Sequence, residues 1–246
     1  MERILVVAAH PDDEVLGCGA AMGKFRANGA AVRVVFLAEG VTARYELDEI
    51  DTPQVREAIR YRDECAMAAL RILGVERDDT FLSARLCCRL DREPLIDSVK
   101  IIERHIAEFQ PTVLFTHAAH DVNIDHRVAH WATLAAIRPV GQAGPQMVLA
   151  FEVLSSTDWN PTEPFRPNVF EDVSDHLDLK LRALAAYDRE MRPAPHSRSR
   201  EVVTALATYR GAQAGVRYAE AFAVIRGIGI ARDAAPGGTA PPTLDA

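Results

Sequence analysis

Three short apolar runs, separated by helical patterns, constrain the fold of this chain more than any other feature. They are rich in Val, Ile and Leu and cover residues 3–9, 32–38 and 112–116. Runs of this length and composition are typical of strands that are buried on both faces of a sheet. Helical patterns occupy residues 15–28, 53–73, 94–109, 176–190 and 199–210. The alternation predicts an α/β fold with a doubly wound, mostly parallel sheet and helices on both faces.

The 246 residues fit one large domain, which we expect to span 1–232, followed by a disordered Ala/Gly/Pro-rich tail at 233–246. A net charge of −7 without a basic run gives no support to a nucleic-acid partner. No apolar stretch reaches the roughly 18 residues of a membrane span, and the start does not resemble a signal peptide. The four cysteines show no C-x-x-C spacing, which favours a reduced, cytoplasmic protein.

The first candidate site directly follows the first apolar run, with the sequence Ala9-His10-Pro11-Asp12-Asp13-Glu14. An imidazole and a carboxylate are suitable ligands for Zn²⁺, and the spacing of His10 and Asp13 lets both approach one centre. Asp12 would then lie beside the metal, where a general base could deprotonate a bound water. The alternative is a solvated acidic turn that only caps the next helix. The following Gly-Cys-Gly lacks the full spacing of a nucleotide-binding loop.

The second candidate site follows the run at 112–116 and holds four of the eight histidines, namely His117, His120, His126 and His130. Because the carboxyl ends of parallel strands meet at one edge of a sheet, both sites are predicted on the same rim. One histidine from the second site would complete a catalytic zinc centre with three protein ligands. His126 and His130 could form a zincin-like helical pair, but Arg127 stands where that motif needs Glu. Half-buried helix histidines are the ordinary interpretation of His130, and also of His105 and His176.

Together, the two motifs resemble those of the PIG-L/LmbE-like zinc-dependent de-N-acetylase superfamily, whose signatures are A-H-P-D-D-E and a later D-H pair. Here the later motif has the form H-D-x-N-x-D-H-R at 120–127, and the resemblance extends from residue 3 to about 227. It implies a Rossmann-like fold, one metal ion, usually zinc, and removal of acetyl groups from N-acetylated amino sugars or their conjugates. It also implies a small-molecule sugar partner, and relatives are often homo-oligomers.

The resemblance also implies roles for individual residues. The implied metal ligands are His10, Asp13 and His126. Asp12 is the implied general base, and Arg62 and Asp91 are the implied sugar contacts. Some branches carry a histidine three residues before the last metal ligand, where it stabilises the oxyanion or protonates the leaving amine. This chain has Asn123 there, which can donate a hydrogen bond but cannot titrate. His120 or His196 could supply the acid instead, although His120 could equally orient a ligand and His196 could be an exposed loop residue.

Two alternatives keep the same motifs but change the function. The first is an amidase that acts on a different N-acyl conjugate, with substrate choice set by the proline- and aromatic-rich region at 155–170. The second is a non-catalytic module that binds a sugar or nucleotide, although such a module has no need for Asp12. The metal identity stays open as well, because His/Asp/His sites accept Fe²⁺, Co²⁺ and Ni²⁺ besides Zn²⁺.

Overall fold

A computed structural model describes residues 1–140 and 144–229 of the chain. The strands in that part are β1 (Arg3–Ala8), β2 (Ala31–Phe36), β3 (Thr80–Leu82), β4 (Val113–His117), β5 (Met147–Phe151), β6 (Val169–Asp172) and β7 (Ala219–Gly227). The helices are α1 (Asp13–Ala27), α2 (Pro53–Ile72), α3 (Leu95–Phe109), α4 (Ile124–Ala136), α5 (Leu177–Ala185) and α6 (Arg200–Ala214). The predicted tail at 233–246 lies outside the described residues.

All seven strands belong to one sheet, in the order β3-β2-β1-β4-β5-β7-β6. The first five strands of that order run parallel, with Val6 paired to Val34 on one side and to Phe115 on the other. β7 is antiparallel to β5 and to β6, so the direction changes only at one end of the sheet. This confirms the predicted α/β fold with a doubly wound, mostly parallel sheet.

Helices cover both faces of the sheet. Alternate residues of β1 point to opposite sides and so pack against different helices. Ile4 and Val6 belong to a core cluster with α1, α2, α5 and α6. Leu5 and Val7 belong to a second cluster with α3 and α4. Every residue from Ile4 to Ala9 is completely buried, which explains why this segment is a continuous apolar run.

The sequence predicted the early elements more closely than the later ones. α2 begins at Pro53, after the capping Thr52, and Gly74 follows its end with a φ of 79°. α5 is shorter than the predicted helix at 176–190 and α6 is longer than the one at 199–210. The strands after residue 140 were not predicted individually, because prolines interrupt that region. None of the described helices has the length and apolarity needed to cross a membrane.

Close packing explains the glycines after the first motif. A Cβ atom added to Gly17 would lie 2.4 Å from a ring carbon of Phe151, so α1 approaches β5 more closely than any larger residue would allow. α1 is also interrupted at Cys18, where φ is −146°. Gly17 therefore serves helix–sheet packing, and this agrees with the poor match of the segment to a nucleotide-binding loop.

Candidate metal centre

The two motifs meet at the carboxyl ends of β1 and β4, which are neighbours in the sheet. His10 lies two residues beyond β1, and α1 leaves from there towards one face. His126 lies in the first turn of α4, which covers the opposite face. This is the point where the strand order of the sheet reverses, and such points form the ligand-binding crevices of doubly wound folds.

Three buried side chains converge there with their donor atoms within 4.8 Å of one another: His10, Asp13 and His126. Asp13 Oδ2 is 3.4 Å from His10 Nδ1 and 3.2 Å from His126 Nε2. The other carboxylate oxygen of Asp13, Oδ1, is buried without a hydrogen-bond partner. A carboxylate that contacts two imidazoles through one oxygen and leaves the other oxygen without a partner suits a divalent cation, which would need this donor set.

Each of these imidazoles contacts a second carboxylate with its other nitrogen. His10 Nε2 is 2.9 Å from Asp125 Oδ2, and His126 Nδ1 is 3.0 Å from Asp121 Oδ2. A carboxylate in this position accepts the ring N–H and leaves the lone pair of the opposite nitrogen for a metal. Asp125 is itself fixed by the backbone N–H groups of Cys88 and Leu90. Once both rings are neutral, these carboxylates favour the tautomers that leave His10 Nδ1 and His126 Nε2 free, as a metal ion would require.

The surrounding charges shift the ionisation of these groups in the metal-free protein. Burial alone would lower the pKa of His10, but hydrogen bonds to Asp125 and Asp13 outweigh it and raise the pKa to about 10. At His126, burial again lowers the pKa. The charge of Asp13 and the hydrogen bond to Asp121 outweigh burial and raise this pKa to about 9. The reverse holds for Asp13, where the imidazoles outweigh burial and bring the pKa well below its ordinary value.

His117 lies in the cluster but supports the backbone. Its Nε2 accepts a hydrogen bond of 2.8 Å from the N–H of Ala9, so that lone pair is already used. Its ring lies against His126, with ring centroids 4.0 Å apart, and against Phe151 at 4.7 Å. Burial brings the pKa of His117 well below its ordinary value, so the ring is neutral. His117 therefore buttresses the end of β1 and the ring of His126.

Asp12 is buried beside the three converging donors and is held by its neighbours in an unusual conformation. Its φ of 111° is rare for a residue with a side chain, and its N–H donates to Glu14 Oε2 at 2.9 Å. Arg62 and Arg198 both bind Asp12 Oδ2, at 3.0 and 2.7 Å. Burial raises the pKa of Asp12, and the charges of Arg198 and Arg62 partly offset that rise. Asp12 is therefore a stronger base than an ordinary carboxylate.

Glu190 ties the two arginines of Asp12 to a third arginine from another loop. Its carboxylate pairs with Arg62, with Arg198 at 3.3 Å and with Arg44 at 2.6 Å. Burial would raise the pKa of Glu190, but the bond from Arg44 and the other guanidinium charges lower it. An ionised Glu190 thereby fixes the guanidinium groups that hold Asp12.

The other predicted site residues lie at different distances from the cluster. His120 is exposed and pairs with Glu163 at 2.5 Å, and Asp91 is exposed in a short turn. Asn123 caps α4, with its side-chain oxygen accepting the N–H of Asp125, so only its amide NH₂ remains free for a ligand. His196 is half-buried, and its Nδ1 accepts the backbone N–H of Arg198. Of these four, Asn123 and His196 are linked directly to residues of the centre.

Two adjacent cysteines, Cys87 and Cys88, lie near His10 and Asp125. Cys87 is buried, Cys88 is half-buried, and all four cysteines of the chain are free. The hydrogen bond with Cys87, outweighing burial, lowers the pKa of Cys88 to about 7, and the charges of His10 and His126 act in the same direction. These cysteines form a group of possible metal donors with His10 and Asp125.

A cavity of about 560 Å³ lies beside the proline-rich region. Residues 118–120 and 162–166 line much of it, together with Thr157, whose hydroxyl donates to Asp121 Oδ2 at 2.6 Å. The cavity therefore lies next to the Asp121–His126 pair. Part of the proline- and aromatic-rich region at 155–170 thus lines this cavity.

Asp121 and Asp125 lie within the second motif, but the sequence predicted no role for them. The available signal was their position around His126, since a histidine that binds a metal usually needs a carboxylate on its other nitrogen. The sequence also gives no sign that Arg198 and Glu190 belong to the site. Nothing in the local sequence connects these two residues to Asp12, because the contact depends on how the segment after α5 folds back.

Comparisons with known proteins agree with this architecture. A family model described as GlcNAc-PI de-N-acetylase (PIG-L) matches residues 5–137. The diacetylchitobiose deacetylase of Thermococcus kodakarensis is 25% identical over 236 residues, which cover 93% of this chain and 85% of the relative. The 4-oxalmesaconate hydratase of Pseudomonas putida is 30% identical over 222 residues, covering 85% of this chain and 80% of the relative.

The solved structures include similar folds. The N,N'-diacetylchitobiose deacetylase from Pyrococcus horikoshii, complexed with an inhibitor, matches with a TM-score of 0.73 at 20% sequence identity. The match covers 91% of this chain and 84% of that protein. At this identity, the similarity shows a common fold and nothing about the substrate.

Proposed function

Because the chain belongs to the PIG-L family, described as GlcNAc-PI de-N-acetylases, we propose that it hydrolyses the acetyl amide of an N-acetylated amino sugar or of its conjugate. Membership confirms the resemblance found in the sequence. The convergence of His10, Asp13 and His126 beside Asp12 carries the proposal, because this is the arrangement that metal-assisted amide hydrolysis requires. The deacetylase from Thermococcus supports an amino-sugar substrate.

His10, Asp13 and His126 would hold the ion, which we take to be zinc, with Fe²⁺, Co²⁺ and Ni²⁺ as alternatives. A divalent ion held there would acidify a water molecule and polarise the amide carbonyl. Asp125 and Asp121 keep both imidazoles oriented through hydrogen bonds to their outer nitrogens. Losing either carboxylate would weaken the site without removing a ligand.

Asp12 acts as the general base in this proposal. Both arginines bind its Oδ2, so Oδ1 is available to accept a proton from the attacking water. Water then adds to the amide carbon, the C–N bond breaks, and acetate and the free amine leave. The NH₂ group of Asn123 suits the developing oxyanion as a hydrogen-bond donor.

The proton for the leaving amine can come from Asp12 itself, once it has taken up the proton of the water, or from His196. His196 accepts the backbone N–H of Arg198, whose guanidinium binds Asp12, whereas exposed His120 is paired with Glu163 and lines the neighbouring cavity. We therefore place His196 and His120 in substrate recognition or proton transfer, with His196 the better placed. Arg62 acts on the base, and Asp91 remains a sugar contact in this proposal.

The rest of the substrate would occupy the 560 Å³ cavity lined by residues 162–166. A homo-oligomer and a cytoplasmic location complete the proposal. The four unpaired thiols suit a reducing compartment.

The test is a panel of N-acetylated mono- and disaccharides, incubated with zinc-loaded protein and assayed for acetate and free amine. We expect both products in equal amounts from at least one sugar, and neither from the Asp12→Asn variant. Release of acetate that is equally fast with Asp12→Asn would refute the role of the base. No release from any sugar by metal-loaded protein would refute the amino-sugar substrate.

A hydratase is the second candidate, because the relative from Pseudomonas is 30% identical over most of both chains. The same base and ion can add water across an activated double bond instead of an amide. Unsaturated dicarboxylic acids belong in the same panel, where loss of their ultraviolet absorbance without acetate release would favour this candidate.

A further inference from the structure

The adjacent cysteines 87 and 88 lie beside the metal centre, but the proposed hydrolysis does not use them. Consecutive side chains of an extended segment point to opposite sides. Cys88 has a φ of 55°, a left-handed conformation that few residues with side chains adopt, and this brings both sulfur atoms to one side. The two Sγ atoms are 3.7 Å apart.

That separation matches chelation of a single ion. Thiolates bind zinc at about 2.3 Å in tetrahedral geometry, so two of them on one ion are about 3.8 Å apart. The backbone fixes the pair in this position, because the N–H of Cys87 donates to Glu39 at 2.7 Å and that of Cys88 donates to Asp125 at 2.5 Å. The sulfurs therefore need almost no rearrangement to bind a metal.

Two further donors complete a set of four. His10 and Asp125 each offer one atom, and the four donor atoms of this group all lie within 4.8 Å of one another. His10 Nε2 and Asp125 Oδ2 are 2.9 Å apart, and must separate by about half an ångström to bind one tetrahedral ion. Cys88 is half-exposed, which gives an ion access from solvent.

We propose that Cys87, Cys88, Asp125 and His10 form a second metal site, which takes a thiophilic divalent cation such as Cd²⁺ or excess Zn²⁺. Thiolates prefer such ions over the harder divalent cations. Both thiols release their protons to solvent when the ion binds. The proposed hydrolysis assigns no step to Cys87 or Cys88. The second site shares His10 with the first site and includes Asp125, the partner of His10.

The shared imidazole makes the two sites compete. A neutral histidine has one lone pair, so His10 binds either through Nδ1, together with Asp13, or through Nε2, together with the cysteines. An ion on the cysteine side leaves a proton on Nδ1, which then points at Asp13 in place of the first ion. Occupation of the second site therefore inhibits any activity that depends on the first.

The test is a Cd²⁺ titration of reduced, zinc-loaded protein, followed by the ultraviolet charge-transfer band of cadmium thiolates and by measurement of released zinc. We expect the band to saturate at one equivalent and zinc to leave in parallel. The Cys88→Ser variant should lose about half of the band and bind Cd²⁺ at least about tenfold more weakly, since loss of even an outer partner costs that much. Cys65→Ser, which changes a cysteine in α2, is the matched control and should behave like the wild type.

A second readout uses hydrolysis with a fixed zinc supply. Cys88→Ser should keep its basal rate and resist inhibition by Cd²⁺, whereas Cys65→Ser should be inhibited like the wild type. A wild-type protein without a thiolate band would overturn the proposal. So would a band that survives unchanged in Cys88→Ser, because the metal would then be bound by other cysteines.

Discussion

Replacing Asp125 with asparagine should weaken metal binding without removing a ligand. Asp125 accepts three hydrogen bonds: Oδ2 from His10 Nε2 at 2.9 Å and from the N–H of Cys88 at 2.5 Å, and Oδ1 from the N–H of Leu90 at 3.0 Å. Asparagine has one accepting oxygen, so only one of these two sides can be satisfied.

The size of the effect follows from the two orientations of the new amide. If the oxygen faces His10, the N–H of Leu90 loses its partner and the bond to the imidazole loses its charge. If the NH₂ group faces His10, the imidazole must turn its proton to Nδ1, where it blocks the metal. We expect zinc affinity to fall by about 10- to 100-fold, or about 1.4–2.7 kcal/mol. Stability of the metal-free protein should fall by about 1–3 kcal/mol, the cost of one buried donor without a partner.

Zinc affinity is measured by competition with a chromogenic chelator, in a Cys88→Ser background that weakens the second site, and stability is measured by urea unfolding. Asp97→Asn is the matched control, because it removes the same charge from the first turn of helix α3, where the side chain is exposed. The reasoning is refuted if Asp125→Asn binds zinc as tightly as its parent. It is refuted equally if Asp97→Asn weakens binding to the same extent.

Three further predictions concern the base, the ligands and the packing of the first helix. Asp12→Asn should retain zinc and fold but lose about 10²–10⁴-fold in kcat, and near-normal turnover would contradict its role. Zinc affinity should rise with pH between 6 and 8, by up to about 100-fold per unit, because His10 and His126, with pKa values of about 10 and 9, must both release protons; affinities that do not change with pH would disprove this. Gly17→Ala should destabilise the fold by about 1–3 kcal/mol in urea unfolding, since its methyl group meets the ring of Phe151, and an unchanged midpoint would contradict the close approach.

Gly23→Ala is the matched control for the glycine variant. It lies in the same helix, but its added methyl group meets the terminal methyl of Leu179, which is the far end of a flexible side chain. We therefore expect a smaller loss of stability than for Gly17→Ala, because Leu179 can move whereas the ring of Phe151 is held against His117.

Three of the five strands that pair in parallel were predictable, because each is a separate apolar run. β1, β2 and β4 lie within one or two residues of the predicted ranges, and the rim that joins their ends follows from parallel pairing alone. β7 was not predictable in this way. It runs antiparallel between β5 and β6, so its place depends on packing against strands far away in the chain.

The candidate site was also predictable only in part. That the two motifs meet could be predicted from sequence, because both follow strands of one parallel sheet, whereas the choice of His126 among the four histidines came from the family resemblance. The orientation of the side chains where the two motifs meet could not be predicted. His120 and Asp125 stand in the same motif, yet one is exposed and the other completely buried, since the turn before α4 and its helical rotation direct them to different sides.

The two helices that leave the centre, α1 and α4, both begin beside it, on opposite faces of the sheet. Their amino-terminal peptide dipoles oppose a cation there, so formal charges on Asp13, Asp121 and Asp125 must retain the ion. The same dipoles favour an anion at that spot. In the proposed hydrolysis a neutral amide would gain little from them and a tetrahedral oxyanion much, so the backbone itself would discriminate in favour of the transition state.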